Sequence, residues 1–136
     1  MRVVLDTNVL ISSLISAEGP PAVVYRAWRA GRFVLLSSES QLEEVRRTLR
    51  KPSIAAMIRP HSSGRLINQL RRKAIEVGRL PPVTRSVDPD DDKILAIAEA
   101  GAADYLVSGD RLGLLALRRH RGTRIVSPTA FAAILS

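Results

Sequence analysis

Four short apolar runs constrain this chain most: Val3-Val4-Leu5, Phe33-Val34-Leu35-Leu36, Tyr105-Leu106-Val107 and Ile125-Val126. Each is apolar at successive rather than alternate positions, and each gives way within a residue or so to Ser or Asp. Strands of that kind have both faces covered, as inside a parallel sheet packed by helices. Segments that read as helices separate the runs. Residues 20–30 open on proline and stop at Gly31; 39–50 follow; 64–77 carry apolar residues at Leu66, Ile67, Leu70, Ala74 and Ile75; 91–100, 111–117 and 128–135 complete the set. Strands alternating with helices predict an α/β fold around a parallel sheet. The stretch 80–89, with Pro81, Pro82 and Pro89, reads as a loop or short edge element. With no internal repeat and no linker in 136 residues, one domain over residues 1–136 is expected.

Composition removes several kinds of chemistry. There is no Cys, which excludes thiol redox steps and thiolate zinc sites, and two histidines are too few for a histidine metal cluster. The longest stretch without a charged residue is the last 12, against roughly 18 needed to span a bilayer. Neither a membrane segment nor a signal peptide is expected, and the expected location is cytoplasmic. Net charge is +8, and 18 of the 21 basic residues are Arg. That suits bidentate contacts to phosphates, and equally an ordinary soluble surface.

The acids concentrate where parallel sheets place their sites, past the carboxyl ends of strands. Asp6 follows the first run and Asp110 the third. Taken alone, Asp6-Thr7-Asn8 fits a turn as well as a metal site. In Asp88-Pro89-Asp90-Asp91-Asp92-Lys93, a 100° step places Ile94, Leu95 and Ala98 within about 60° of Asp91, so Asp91 faces the sheet. An N-cap also accounts for an acid in this run. In residues 39–49 the apolar stripe is Leu42, Val45 and Leu49. Glu43 precedes Arg46 and Arg47 by three and four residues, an ordinary surface pairing. Glu44 lies between Gln41 and Thr48 and is the better ligand candidate, with Glu43 the alternative.

Four carboxylates within about 5 Å would repel by roughly 3 kcal/mol per pair at an effective dielectric near 20. Such a group takes up protons or a hard cation, Mg²⁺ or Mn²⁺. A carboxylate-held metal can activate water and stabilise charge on a phosphoryl oxygen. A basic surface would hold the phosphate backbone.

The strings VVLDTNVLISSL, SESQLEEVRRTL, DPDDDKILAIAEAGAADYLVSGD and RIVSPTAF, in this order, resemble the PIN domain, and within it the VapC-like ribonuclease toxins of toxin–antitoxin modules. By position, Asp6, Glu44, Asp91 and Asp110 resemble the family's four metal-holding catalytic acids. Thr7, Asn8 and Ser108 resemble its supporting polar residues; a Thr is frequent at the Ser108 position, and Ser keeps the hydroxyl. The resemblance implies a three-layer αβα sandwich and Mg²⁺- or Mn²⁺-dependent cleavage of single-stranded RNA. It also implies a homodimer or higher oligomer, and an antitoxin that blocks the acidic cleft.

Other readings fit these residues less well. A phospho-acceptor domain needs a late-strand Lys, and Lys51, Lys73 and Lys93 all fall in helices or loops. A haloacid-dehalogenase-type phosphatase needs a second Asp where Asn8 stands. A catalytically silent nucleic-acid-binding PIN-like domain would be expected to have lost some of the acids. Tyr25, Trp28 and Phe33 are expected in the core rather than stacked on bases, and Asp104 at a helix-to-strand turn. Arg46, Arg47 and Arg50, close in sequence to Glu44, are candidate RNA contacts. Arg118-Arg119-His120-Arg121 is either a phosphate contact or a solvated helix end.

Overall fold

The computed structural model describes residues 1–136. β1 (Arg2–Leu5) leads through Asp6 into α1 (Thr7–Ile15), then α2 (Pro20–Arg29), β2 (Val34–Ser37), α3 (Glu39–Leu49), α4 (Pro52–Ala55), α5 (Pro60–Lys73) and β3 (Ile75–Glu76). After a long loop come α6 (Pro89–Ala100), β4 (Tyr105–Val107), α7 (Leu114–Leu117), β5 (Arg119–His120), β6 (Thr123–Val126) and α8 (Pro128–Leu135). One six-stranded sheet runs β3-β2-β1-β4-β6-β5, parallel throughout except for the antiparallel pairing of β5 with β6.

Successive strand residues point to opposite faces, and β1 divides accordingly. Val3 and Leu5 join the larger core cluster, with residues of α1, α2, α3, α5 and α8. Val4 joins the smaller one, against Ile94, Leu95, Ile97 and Ala98 of α6 and Leu114 of α7. This is why the strands read as unbroken apolar runs, and it makes the molecule a three-layer αβα sandwich. Tyr25, Trp28 and Phe33 are buried as expected, with Phe33 edge-on to Phe131 at 5.3 Å.

Two expectations need correction. The helix expected over 64–77 runs from Pro60 to Lys73 and breaks at Ala74, which is extended (φ −73°, ψ 144°). The β-branched Ile75 then starts a short edge strand beside Leu36, and alternate apolar residues there had extended the helical pattern too far. The helix expected over 111–117 is regular only from Leu114, because the Asp110 carboxylate accepts from the amides of Leu112 and Gly113 and folds the segment before it into a turn. Residues 7–15, which are not among the expected helices, form α1, with Val9, Leu10 and Ile11 buried. Asp104 sits at its predicted turn, accepting from the Arg2 amide at 2.8 Å. No helix is long and apolar enough to cross a membrane.

Candidate active-site cleft

From β1 the chain winds outward to β2 and β3 on one side, whereas β4 and β6 lie on the other. The order therefore reverses between β1 and β4, and a crevice forms beyond their carboxyl ends, where open α/β sheets bind ligands. Asp6 and Ser108 are the first residues past those two strands. The Asp6 amide donates to Val107 O at 2.9 Å, fixing the two strand ends together. Although Asp6 occupies the N-cap position of α1, its side chain does not cap that helix. Its buried carboxylate instead accepts at Oδ2 from Ser108 Oγ, at 2.9 Å.

Glu44 reaches the same crevice from α3. The buried Gln41 donates to Leu5 O at 2.7 Å and accepts from Ser37 Oγ at 2.7 Å, tying α3 to the ends of β1 and β2. Three residues on, and so on the same helix face, Glu44 accepts at Oε1 from Thr7 Oγ1 at 2.7 Å. Glu43 is exposed and faces Arg46 at 3.4 Å. The two acids separate as the helix phase predicted.

The acidic run divides its tasks. Asp88 caps α6 by accepting from the Asp90 amide at 2.9 Å, so the capping explanation holds for Asp88. Asp92 Oδ1 accepts from the amides of Arg85 and Ser86, at 2.9 and 2.8 Å, and clamps the preceding loop. Asp90 faces Arg47 at 3.8 Å. Asp91 turns into the cleft, where Asp88 also lines the groove, and accepts at Oδ2 from Ser86 Oγ at 3.2 Å. Asp91 and Asp110 line one groove. They meet over Gly113, where a Cβ would collide with the Asp110 carboxylate and lie 3.2 Å from Asp91 Oδ2; glycine is what lets the 110–113 turn close on them.

Ser108 and Ser86 work alike. Ser108 Oγ accepts from the Asp110 amide at 3.1 Å, and Ser86 Oγ from the Asp88 amide at 3.1 Å. An amide only donates, so each hydroxyl proton is left for the carboxylate beyond it. Thr7, Ser86 and Ser108 thus each hold one oxygen of Glu44, Asp91 and Asp6, and two amides hold Oδ1 of Asp110. Glu44 Oε2, Asp91 Oδ1 and Asp110 Oδ2 stay free of hydrogen bonds. Anchored on one oxygen and open on the other, these are hard donors of the kind a divalent cation takes. In donor chemistry, though not in their present spacing, the residues suit such an ion.

The electrostatics point the same way. Burial, with Asp91 and Glu44 adding repulsion against the Ser108 hydrogen bond, pushes the Asp6 carboxyl up from 3.8 to about 7. Burial also raises Glu44, assisted by Asp90 and Asp88 and opposed by Thr7 and Arg47. Asp91 is raised by burial, then by Asp88, Asp110 and Asp92, against the Ser86 hydrogen bond. The expected close cluster is not drawn together, however: no three of these acids are grouped closely enough to hold an ion as they stand. Each is held by its own anchor, with Asp6 buried and Asp110 exposed.

Of the other expected residues, Asn8 is exposed and lines a neighbouring groove with Gly109 and Asp110. Arg46 and Arg47 already face Glu43 and Asp90, while Arg50 is exposed without an acidic partner. Sequence reasoning missed Ser86, Asp92, Gln41 and Gly113. A usable signal existed for Ser86, since Ser86-Val87-Asp88 repeats the Ser-x-Asp spacing of Ser108-Gly109-Asp110.

The molecule is an α/β sandwich with acids around the crevice at the switch point of its mostly parallel sheet. The PIN domain profile matches residues 2–112, and the chain belongs to the PIN domain family. Members of that family are generally nucleases that act on nucleic acid and typically use divalent metal ions. No curated protein matches the sequence.

Proposed function

We propose that residues 1–136 form one PIN-like nuclease domain that cleaves phosphodiester bonds of single-stranded RNA endonucleolytically. In this reading Asp6, Glu44, Asp91 and Asp110 hold Mg²⁺ or Mn²⁺. One observation carries it: around the switch point, each of the four acids has one oxygen anchored by a hydroxyl or amide, and three have their other oxygen free of hydrogen bonds. When bound, the ion would lower the pKa of water and stabilise charge developing on the phosphate. The chain's own part is positional. Ser108, Thr7 and Ser86 fix the carboxylate rotamers, and Gln41 fixes α3 so that Glu44 faces inward. Burial of Asp6 and repulsion among the acids, which raise Asp6 and Asp91, favour a cation at the site. With three acids raised above their ordinary range, cation binding also releases protons, so affinity rises with pH.

The biological setting is part of the same proposal and rests on the resemblance to VapC-like proteins. It is the toxin of a type II toxin–antitoxin pair, a cytoplasmic homodimer or higher oligomer, restrained by an antitoxin. Expression of the wild-type chain then arrests growth of a bacterial host, and Asp6→Asn does not. Cleavage of a labelled single-stranded RNA by purified protein tests the enzymatic core. Mn²⁺-stimulated internal cuts are expected, abolished by chelation and by Asp6→Asn with Asp91→Asn. RNA binding without cleavage would favour the catalytically silent alternative, and cleavage that survives chelation or the double substitution would end this reading.

A further inference from the structure

Between β3 and α6 the chain crosses a loop in which residues 78–84 make no backbone hydrogen bond, with Leu80 and Val83 packed against the smaller core. Segments tied this sparsely open readily. Yet the end of this loop carries Ser86, whose hydroxyl holds Asp91. Two polar ties fix that end. The first is local: Asp92 Oδ1 accepts from the amides of Arg85 and Ser86. Asp92 and Asp91 share one helix, so this clamp ties the loop to α6 alone.

The second tie is the Arg85 side chain, which reaches β5. Both protons of its Nη1 are used, one on Arg119 O and one on His120 Nδ1, each at 2.9 Å. A guanidinium only donates, so Nδ1 accepts and the ring proton stands on Nε2, which donates to Glu99 Oε1 at 2.9 Å. His120 is buried, and Glu99 accepts also from Arg121 Nε at 3.2 Å. With both ring nitrogens engaged, the imidazole has one tautomer and one orientation to offer Arg85.

The β5–β6 hairpin belongs to the frame that carries the other acids. β6 pairs with β4, and the Ser108 amide past β4 donates to Val126 O at 3.0 Å. Ser108 in turn holds the Asp6 carboxylate and the Asp110 amide. The Arg85 tie therefore joins the Ser86 loop to the strands that place Asp6 and Asp110, which the Asp92 clamp does not. Arg85 lines the groove of Asp91 and Asp110 and also the groove of Glu99, His120 and Arg121. It is itself exposed, so replacing it leaves the core packing intact.

We propose that Arg85 is a positioning residue: by latching the loop to Arg119 and His120, it sets the Ser86 hydroxyl, and through it the Asp91 carboxylate, relative to Asp6 and Asp110. The value of that placement for a cation rests on the metal reading of the cleft; the latch itself does not.

The test combines Mn²⁺ titration, followed by the free ion's electron paramagnetic resonance, with amide hydrogen exchange in metal-free protein. Arg85→Ala is expected to speed exchange at the Ser86 and Asp88 amides, which are held by Asp92 and by the Ser86 hydroxyl. It should also weaken Mn²⁺ binding by about tenfold. Arg85→Lys, still able to donate to β5, should recover most of both. Where Ser86→Ala has already removed the hydroxyl, adding Arg85→Ala should weaken Mn²⁺ binding by less than about twofold more, because the arginine acts through that hydroxyl. Arg121→Ala touches Glu99 but not the loop, and should leave both readouts unchanged. Unaltered exchange in Arg85→Ala would overturn the latch, and full additivity of the two substitutions would overturn its action through Ser86. A wild-type chain that takes up no Mn²⁺ would sink the metal reading, while amide exchange would still decide the latch.

Discussion

At its first turn α6 presents Asp90, Asp91 and Asp92; at its last it presents Glu99. Asp91 is raised above the ordinary carboxyl range by burial and by neighbouring acids, whereas Glu99 is lowered, first by its hydrogen bond with His120 and further by Arg121. A helix dipole alone would order them the other way, since it favours negative charge at the N-terminus. The neighbours therefore decide. Glu99 is neutralised within the protein, and its role is to hold β5 and the hairpin against α6. Asp91, with Asp6, Glu44 and Asp110, is anchored but not neutralised, which is the condition of groups arranged for something the chain does not itself supply.

The largest effect should come from removing charge at the first end. Asp6→Asn with Asp91→Asn is expected to lower Mn²⁺ affinity and RNA cleavage by more than about 100-fold, since losing even a ligand's supporting partner costs 10- to 100-fold. Glu99→Gln should leave Mn²⁺ affinity within about twofold while lowering the thermal midpoint. If Glu99→Gln affected metal binding as strongly, the two ends would not differ as described.

Next come the hydroxyls. Ser108→Ala, Ser86→Ala and Thr7→Val should each weaken Mn²⁺ binding by about tenfold or more, with Ser108→Thr and Thr7→Ser retaining most of it. Equal metal affinity in Ser86→Ala would show that the loop hydroxyl positions nothing.

Asp6 in the crevice and Glu99 at the far end of α6 should also respond to pH with opposite signs. In metal-free protein the folded state keeps a proton on Asp6 up to about pH 7, against 3.8 in the ordinary carboxyl. Between those values the folded state binds more protons than the unfolded one. Stability therefore falls as pH rises from about 4 to 7, by an amount on the order of 4 kcal/mol. Urea unfolding of Asp6→Asn should flatten that slope. Glu99 behaves conversely: its contribution is present at neutral pH and is lost as pH falls below its ordinary 4.5. The smallest effect belongs to the exposed Glu43–Arg46 pair. Glu43→Gln should change stability by less than about 0.5 kcal/mol and leave metal affinity unaltered, in contrast to Glu44→Gln.

What could be read from the sequence was whatever periodicity records. Unbroken apolar runs marked β1, β2, β4 and part of β6, because burial on both faces leaves no polar positions. Helix phase picked Asp91 out of its run and preferred Glu44 to Glu43, because it fixes which side of a helix meets the core. Contacts between distant segments leave no such record. Ser86 is joined to Asp91 by a loop conformation held by Asp92, and Gly113 matters only because two carboxylates converge on it. Gln41 matters because Leu5 O is in reach. α1 was obscured because it begins one residue after a strand and is apolar enough to continue it.

The most direct test of the central claim is the electron paramagnetic resonance of free Mn²⁺ during titration into the purified chain, with Asp6→Asn/Asp91→Asn alongside. Anchored, un-neutralised acids predict saturable loss of the free-ion signal in the wild type and none in the double variant. Equal Mn²⁺ uptake by both proteins, or none by the wild type, would contradict it.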